Sequence, residues 1–121
     1  MSDYREITIY TWGIAKRKFK PHQSKKNFNV CGVSNGKPYG INLKKLDGRS
    51  EELQKSISSL PRYEEYKNAI IKYIIGNPDS DAISINCQKG RHRSVAMAQL
   101  VGAYLANEHN IIVNIKHLEL K

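Results

Sequence analysis

Apolar residues along this chain fall into short β-branched runs separated by two stretches of helical spacing. Glu6-Ile7-Thr8-Ile9-Tyr10-Thr11-Trp12 alternates and is rich in β-branched and aromatic side chains, which predicts a first strand ending at Gly13. Phe28 to Val33 predicts a second, shorter strand, followed by a turn cluster at Ser34-Asn35-Gly36-Lys37-Pro38. Asp47-Gly48-Arg49-Ser50 has the character of a helix start, with Ser50 capping Glu51 to Ser56. Pro61 opens a stronger helix, on which Tyr66, Ala69, Ile70, Tyr73 and Ile74 form an apolar stripe; its tyrosines are read as packing groups. Gly76-Asn77-Pro78 stops it. Asp81 to Asn86 predicts a central strand. Ser94 to Asn107 predicts a second main helix burying Val95, Ala98, Val101 and Leu105, and Ile111 to Ile115 a last strand. The order β-β-α-β-α-β predicts one small α/β domain over residues 1–121, a mixed or parallel sheet of about four strands flanked by helices.

Between the first two strands, residues 14–27 are basic and polar and contain Pro21, so they read as a loop or arm. The formal charge of +9 at pH 7 is concentrated there. No acidic residue falls between Ile7 and Leu46, whereas Lys16, Arg17, Lys18, Lys20, Lys25, Lys26, Lys37, Lys44 and Lys45 all do. A block of one sign favours a polyanionic partner, such as nucleic acid or a phosphorylated ligand, over a merely solvated surface. Lys16, Arg17, Lys18, Lys20, Lys25 and Lys26 are the candidate nucleic-acid contacts.

Composition removes several classes. No apolar run is long enough to span a bilayer, and the polar N-terminus lacks a signal-peptide core, so a cytoplasmic protein without a membrane partner is expected. Cys31 and Cys87 fit no zinc spacing and are expected as free thiols; the four histidines form no metal-like cluster, and no cofactor is called for. Gly32 to Lys37 is one residue short of a nucleotide-binding Walker loop, and Pro38 stands where Ser or Thr would ligate magnesium. A homo-oligomeric state is left open.

The chemistry concentrates in Cys87-Gln88-Lys89-Gly90-Arg91-His92-Arg93-Ser94, which lies between a strand and a helix. In that position backbone N–H groups and a helix N-terminus face one point, a concavity suited to phosphate. Gly90 permits the positive backbone dihedral that such a ring needs. Arg93 can fork two hydrogen bonds onto phosphate oxygens, and Ser94 can cap the helix or bond the Cys87 sulfur. Cys87, facing these donors, is expected to ionise below the free value of about 8.5.

The pattern Cys-x-x-Gly-x-x-Arg-Ser resembles the loop of cysteine-dependent, dual-specificity-like phosphatases. That resemblance implies Cys87 as nucleophile, Arg93 as transition-state clamp and an acid upstream, for which Asp47 is the nearest residue on a loop. Asn86 replaces the usual histidine before the cysteine. The closer resemblance is to the RapZ C-terminal domain family, whose signature Gly-Cys-Thr-Gly-Gly-Lys-His-Arg-Ser is similar to Asn86 through Ser94 and includes the histidine before the arginine. Thr11-Trp12-Gly13 and Phe28-Asn29-Val30 resemble that family's Ser-Phe-Gly and Phe-Asp-Val. This resemblance implies a cytoplasmic domain that binds small regulatory RNA and holds an amino-sugar phosphate in its anion loop. By it, Cys87 to Ser94 would be a phosphate pocket and the Lys16 to Lys26 segment the nucleic-acid surface. Gln88 and Lys89 replace the family's Thr-Gly pair and alter the selectivity expected for the sugar. The expectation is therefore a module binding a phosphorylated small molecule, nucleotide or RNA phosphate, with a phosphatase as the alternative.

Overall fold

The computed structural model describes residues 5–33 and 46–120. The turn read at Ser34 to Pro38, and Lys37, Lys44 and Lys45, lie outside these described residues. The elements are β1 (Arg5–Gly13), β2 (Asn27–Asn29), α1 (Glu51–Ser58), α2 (Tyr63–Gly76), β3 (Ala82–Cys87), α3 (Arg93–His109) and β4 (Ile111–His117), with a single 3₁₀ turn at Cys31–Val33. The sheet has four strands in the order β2-β3-β1-β4, and every pairing is parallel. This is the α/β arrangement expected. The second strand is shorter than its sequence suggests: pairing with β3 stops at Asn29, and Cys31 to Val33 turns away.

Alternation decides which face of each strand meets the helices. Ile7 and Ile9 of β1 and Ile83, Ile85 and Cys87 of β3 point to one side. There they meet Leu53 and Ile57 of α1, Ile70 and Ile74 of α2, and Met97, Val101 and Leu105 of α3. Each of these isoleucines contributes roughly 1.5–3 kcal/mol by leaving water. Helix α3 lies close against β4, and a β-carbon on Gly102 would meet the side chains of Ile115 and Val113 at 3.0 and 3.3 Å.

The opposite face of β3 carries Ala82, Ser84 and Asn86, yet all six positions of the strand are buried. Residues 14–26 provide the cover. Ser24 of the loop read at 14–27 reaches Ser84 on this face, and a polar network pairs most of the buried groups, leaving Asn86 Nδ2 without a partner among the described residues. Ser24 Oγ donates to Ser84 Oγ (2.9 Å), Ser84 Oγ donates to Asn27 Oδ1 (2.8 Å), Trp12 Nε1 donates to the same oxygen (2.8 Å), and Asn27 Nδ2 donates to Asn86 Oδ1 (2.8 Å). Such networks replace the hydration that buried amides and hydroxyls lose.

Among the described helices only α1 has a side-chain N-cap, and acidic residues open α1 and α2 but not α3. Ser50, in extended conformation, accepts from the Leu53 N–H, and Glu51 and Glu52 oppose the α1 dipole. Glu64 and Glu65 do the same for α2; the Arg5 guanidinium donates to Ile74 O in its last turn and to Asn77 O and Ser80 O just beyond it. Helix α3 has no acidic residue in its first turn and no side-chain cap. No helix among the described residues is long and apolar enough to cross a membrane.

Candidate functional site

The unneutralised N-terminus of α3 stands at the carboxyl end of β3, the place where open α/β sheets present ligand sites. Cys87 is the last residue of β3 and is buried. Gln88 to His92 form the connecting loop, and Arg93 begins α3. Gly90 has φ +73°, a left-handed conformation that other residues adopt only with strain. That turn sends the Gly90 N–H back toward the Cys87 sulfur, where the Ser94 N–H also points, and Ser94 Oγ lies 3.2 Å from Sγ. Burial pushes the Cys87 thiol up, but the Ser94 hydroxyl, the N–H groups of Ser94 and Gly90, and the Arg93 guanidinium together outweigh it. The result is a thiol that ionises below its usual range.

Arg93 does not extend into solvent. Its Nη1 donates to the carbonyl of Cys31, and its charge acts on both Cys87 and Cys31. At Cys31 the balance is reversed: burial raises the thiol more than Arg93 lowers it. Both cysteines are free thiols.

Two turns from elsewhere in the chain brace the loop. Gly13 sits directly beneath it, and a β-carbon there would lie 2.6 Å from Lys89 O and 2.7 Å from Gly90 N. On the other flank the Gly48 N–H donates to Arg91 O at 2.8 Å, and His92 Nε2 meets Leu46 O at 2.9 Å. Glu119 accepts from the Gly13 N–H (3.2 Å) and from Arg17 Nε (2.8 Å), tying the start of the basic loop to this floor. Gly13 was visible beforehand only through its neighbours Thr11 and Trp12. Glu119, Leu46 and Cys31 lie far from the loop in sequence and carry no local signal of this role.

Asp47, the acid a phosphatase would require, is held by Arg49. The backbone N–H of Arg49 donates to Oδ1 at 2.8 Å, Nε to Oδ1 at 3.0 Å and Nη2 to Oδ2 at 2.7 Å. These bonds outweigh partial burial and keep the carboxyl below its usual range, so Asp47 is ionised and has no proton to give at neutral pH.

The six basic candidates are all exposed, but they are not gathered in one place. The Ile14 N–H donates to Cys87 O at 3.1 Å and the Ala15 N–H to Gln88 O at 2.9 Å, which puts Lys16, Arg17 and Lys18 beside the anion loop. At the other end the Lys25 N–H donates to Ala82 O and Lys26 O accepts from the Ser84 N–H, five and three residues back along β3 from Cys87, roughly 10–17 Å. Lys20 Nζ turns inward to Ser24 O, and Lys26 Nζ lies over the rings of Phe28 and Tyr73 at 5.6 and 5.8 Å. Among the described residues no group of three or more histidine, cysteine or acidic side chains is arranged to hold a metal ion.

A family model described as the RapZ C-terminal domain aligns with residues 6–121, nearly the whole chain. No curated protein matches it.

Proposed function

This chain belongs to the RapZ C-terminal domain family, and from that premise we propose that it is a binding module for a phosphate-bearing ligand, seated in the loop Cys87, Gln88, Lys89, Gly90, Arg91, His92, Arg93 and Ser94. The observation that carries this reading is the environment of Cys87. Cys87 is a buried sulfur whose ionised form is favoured by two backbone N–H groups, a hydroxyl and a guanidinium. The same donors would serve a tetrahedral oxyanion seated above it. The absence of any acidic side chain in the first turn of α3 supports the reading, since α1 and α2 both carry such residues.

Binding is favoured over phosphoryl transfer because the available loop acid is locked in an ion pair. Cys87 and Arg93 would supply the nucleophile and clamp of a phosphatase. Asp47, bonded to Arg49 and ionised, would not protonate a leaving oxygen. Lys16, Arg17 and Lys18, adjoining the loop, are proposed as the nucleic-acid side of the same surface, with Lys20, Lys25 and Lys26 extending it along the sheet.

Calorimetric titration with inorganic phosphate and a sugar phosphate tests this function. Arg93→Ala is expected to abolish binding, and Cys87→Ser to preserve it, because removing a thiolate beneath a phosphate relieves repulsion. Equal loss in both variants would overturn the reading. Release of phosphate from an aryl phosphate, lost in Cys87→Ser, would establish the phosphatase instead.

A further inference from the structure

The side chains around Cys87 also bear on a second thiol, one that phosphate binding leaves unused. Cys31 stands just past the end of β2, where pairing with β3 gives way to the 3₁₀ turn. The Val30 N–H still donates to Asn86 O at 2.9 Å, one residue beyond the Asn29–Asn86 pair, so the chain passes Cys87 on the neighbouring strand. Strands lie about 4.8 Å apart and consecutive α-carbons about 3.8 Å, which puts the two cysteine α-carbons at most about 9 Å apart. Cys31 packs against the apolar cluster that contains Cys87, and negative charge on Cys87 raises the Cys31 thiol. Arg93 joins the two: it donates to the Cys31 carbonyl, and its charge favours the ionised form of both sulfurs.

The two thiols differ as a nucleophile and its resolving partner must. Cys87 ionises below the usual range, whereas half-buried Cys31 keeps its proton. We propose that Cys31 and Cys87 are a reversible redox pair, in which a hydroperoxide oxidises Cys87 and Cys31 then closes a disulfide. In the first step the Cys87 thiolate attacks a peroxide oxygen and the O–O bond breaks. Cys87 becomes a sulfenic acid, and the displaced hydroxide takes up a proton to leave as water. In the second, the Cys31 sulfur attacks the sulfenic sulfur: the S–S bond forms, the S–O bond breaks, and the hydroxide released combines with the Cys31 proton as water. Two electrons pass from the thiols to the peroxide, and an external dithiol returns them by exchange. A disulfide holds its α-carbons within about 7 Å, so the 3₁₀ turn rather than the sheet takes up the adjustment. That movement carries the Cys31 carbonyl away from Arg93 and the Cys87 sulfur away from Ser94. Oxidation therefore disables the loop, a consequence that rests on the phosphate-binding reading given above.

Mass spectrometry of the reduced protein after treatment with hydrogen peroxide tests the pair. The expected product is a monomer that has lost two hydrogens and yields a cross-linked Cys31–Cys87 peptide, reversed by dithiothreitol. Cys31→Ser should instead carry Cys87 on to the sulfinic acid, which dithiothreitol does not reverse. Ser94→Ala should slow the oxidation, because less Cys87 is then ionised. Cross-links only between molecules, oxidation confined to Cys31, or equal sulfinic acid in the wild type and Cys31→Ser would overturn the proposal. Calorimetry with inorganic phosphate reads the consequence: oxidation should weaken binding at least tenfold and dithiothreitol should restore it. A disulfide that leaves phosphate affinity unchanged would overturn the coupling to the loop. A disulfide in a protein that binds phosphate in neither state would uphold the redox pair and overturn the phosphate-binding reading.

Discussion

Gly13 and Gly90 meet backbone to backbone: a β-carbon on either would lie 2.7 Å from the main-chain nitrogen of the other. The end of β1 is therefore the floor on which the loop after β3 rests, and the shape of that loop depends on a residue far away in sequence. At Gly90 a side chain would also be strained by φ +73°.

Gly13→Ala and Gly90→Ala should both distort the loop. The expected cost is about 1–3 kcal/mol of stability, with phosphate affinity reduced at least tenfold in the protein that remains folded. Thermal melting with and without phosphate checks this. A variant that melts at the wild-type temperature and still binds would show that the two strands' ends are not in contact.

Ser94→Ala should raise the ionisation midpoint of Cys87, because it removes the hydroxyl at 3.2 Å while leaving the N–H groups in place. Ultraviolet titration of thiolate absorbance in a Cys31→Ser background isolates the signal. An unchanged midpoint would mean that the hydroxyl does not support the ionised sulfur.

Acid should loosen the sheet through His117. Its ring is half-buried between β1 and α3: Gln99 Oε1 accepts from Nε2–H at 3.0 Å, and Nδ1 accepts from the Thr11 hydroxyl at 2.7 Å. Burial, followed by the charge of Arg49, holds its pKa below the ordinary 6.5. The unfolded chain therefore takes up a proton at higher pH than the folded one. This contribution to stability is complete above 6.5 and is lost as pH falls toward the folded-state value. Urea midpoints across this range should decline more steeply for the wild type than for His117→Gln; parallel profiles would exclude His117 as the cause.

Ile85→Ala should cost about 2–5 kcal/mol, since the side chain is wholly buried among the helices and its loss leaves a cavity. A urea midpoint within error of the wild type would contradict the core assignment.

Much of this architecture was legible in the sequence for a physical reason. The β-branched runs of β1, β3 and β4 and the stripe of α3 bury residues at a fixed period, and that period is written locally. Val95, Ala98, Val101 and Leu105 are all fully buried, as their spacing requires. The position of the Cys87–Ser94 loop between strand and helix followed from the same periodicity. Local reading faltered where tertiary contacts decide. Ala69 lies on the predicted stripe of α2 yet is exposed, whereas Tyr63, six residues earlier and outside that stripe, is buried. Phe28 to Val33 has the composition of a strand, but pairing with β3 runs out at Asn29. The run Asp81 to Asn86 reads only as a central strand, with nothing to say what covers its polar face. Only the partners Ser24 and Asn27 reveal that the cover is the basic loop.

Gly90, Ser94 and Arg93 are proposed to cup an oxyanion together above Cys87. A crystal structure of the protein grown with phosphate or tungstate tests it most directly. The expected result is a tetrahedral anion accepting from the N–H groups of the loop and from the Arg93 guanidinium, above the sulfur. Density for the anion only at surface lysines, with the loop closed over Cys87, would contradict it.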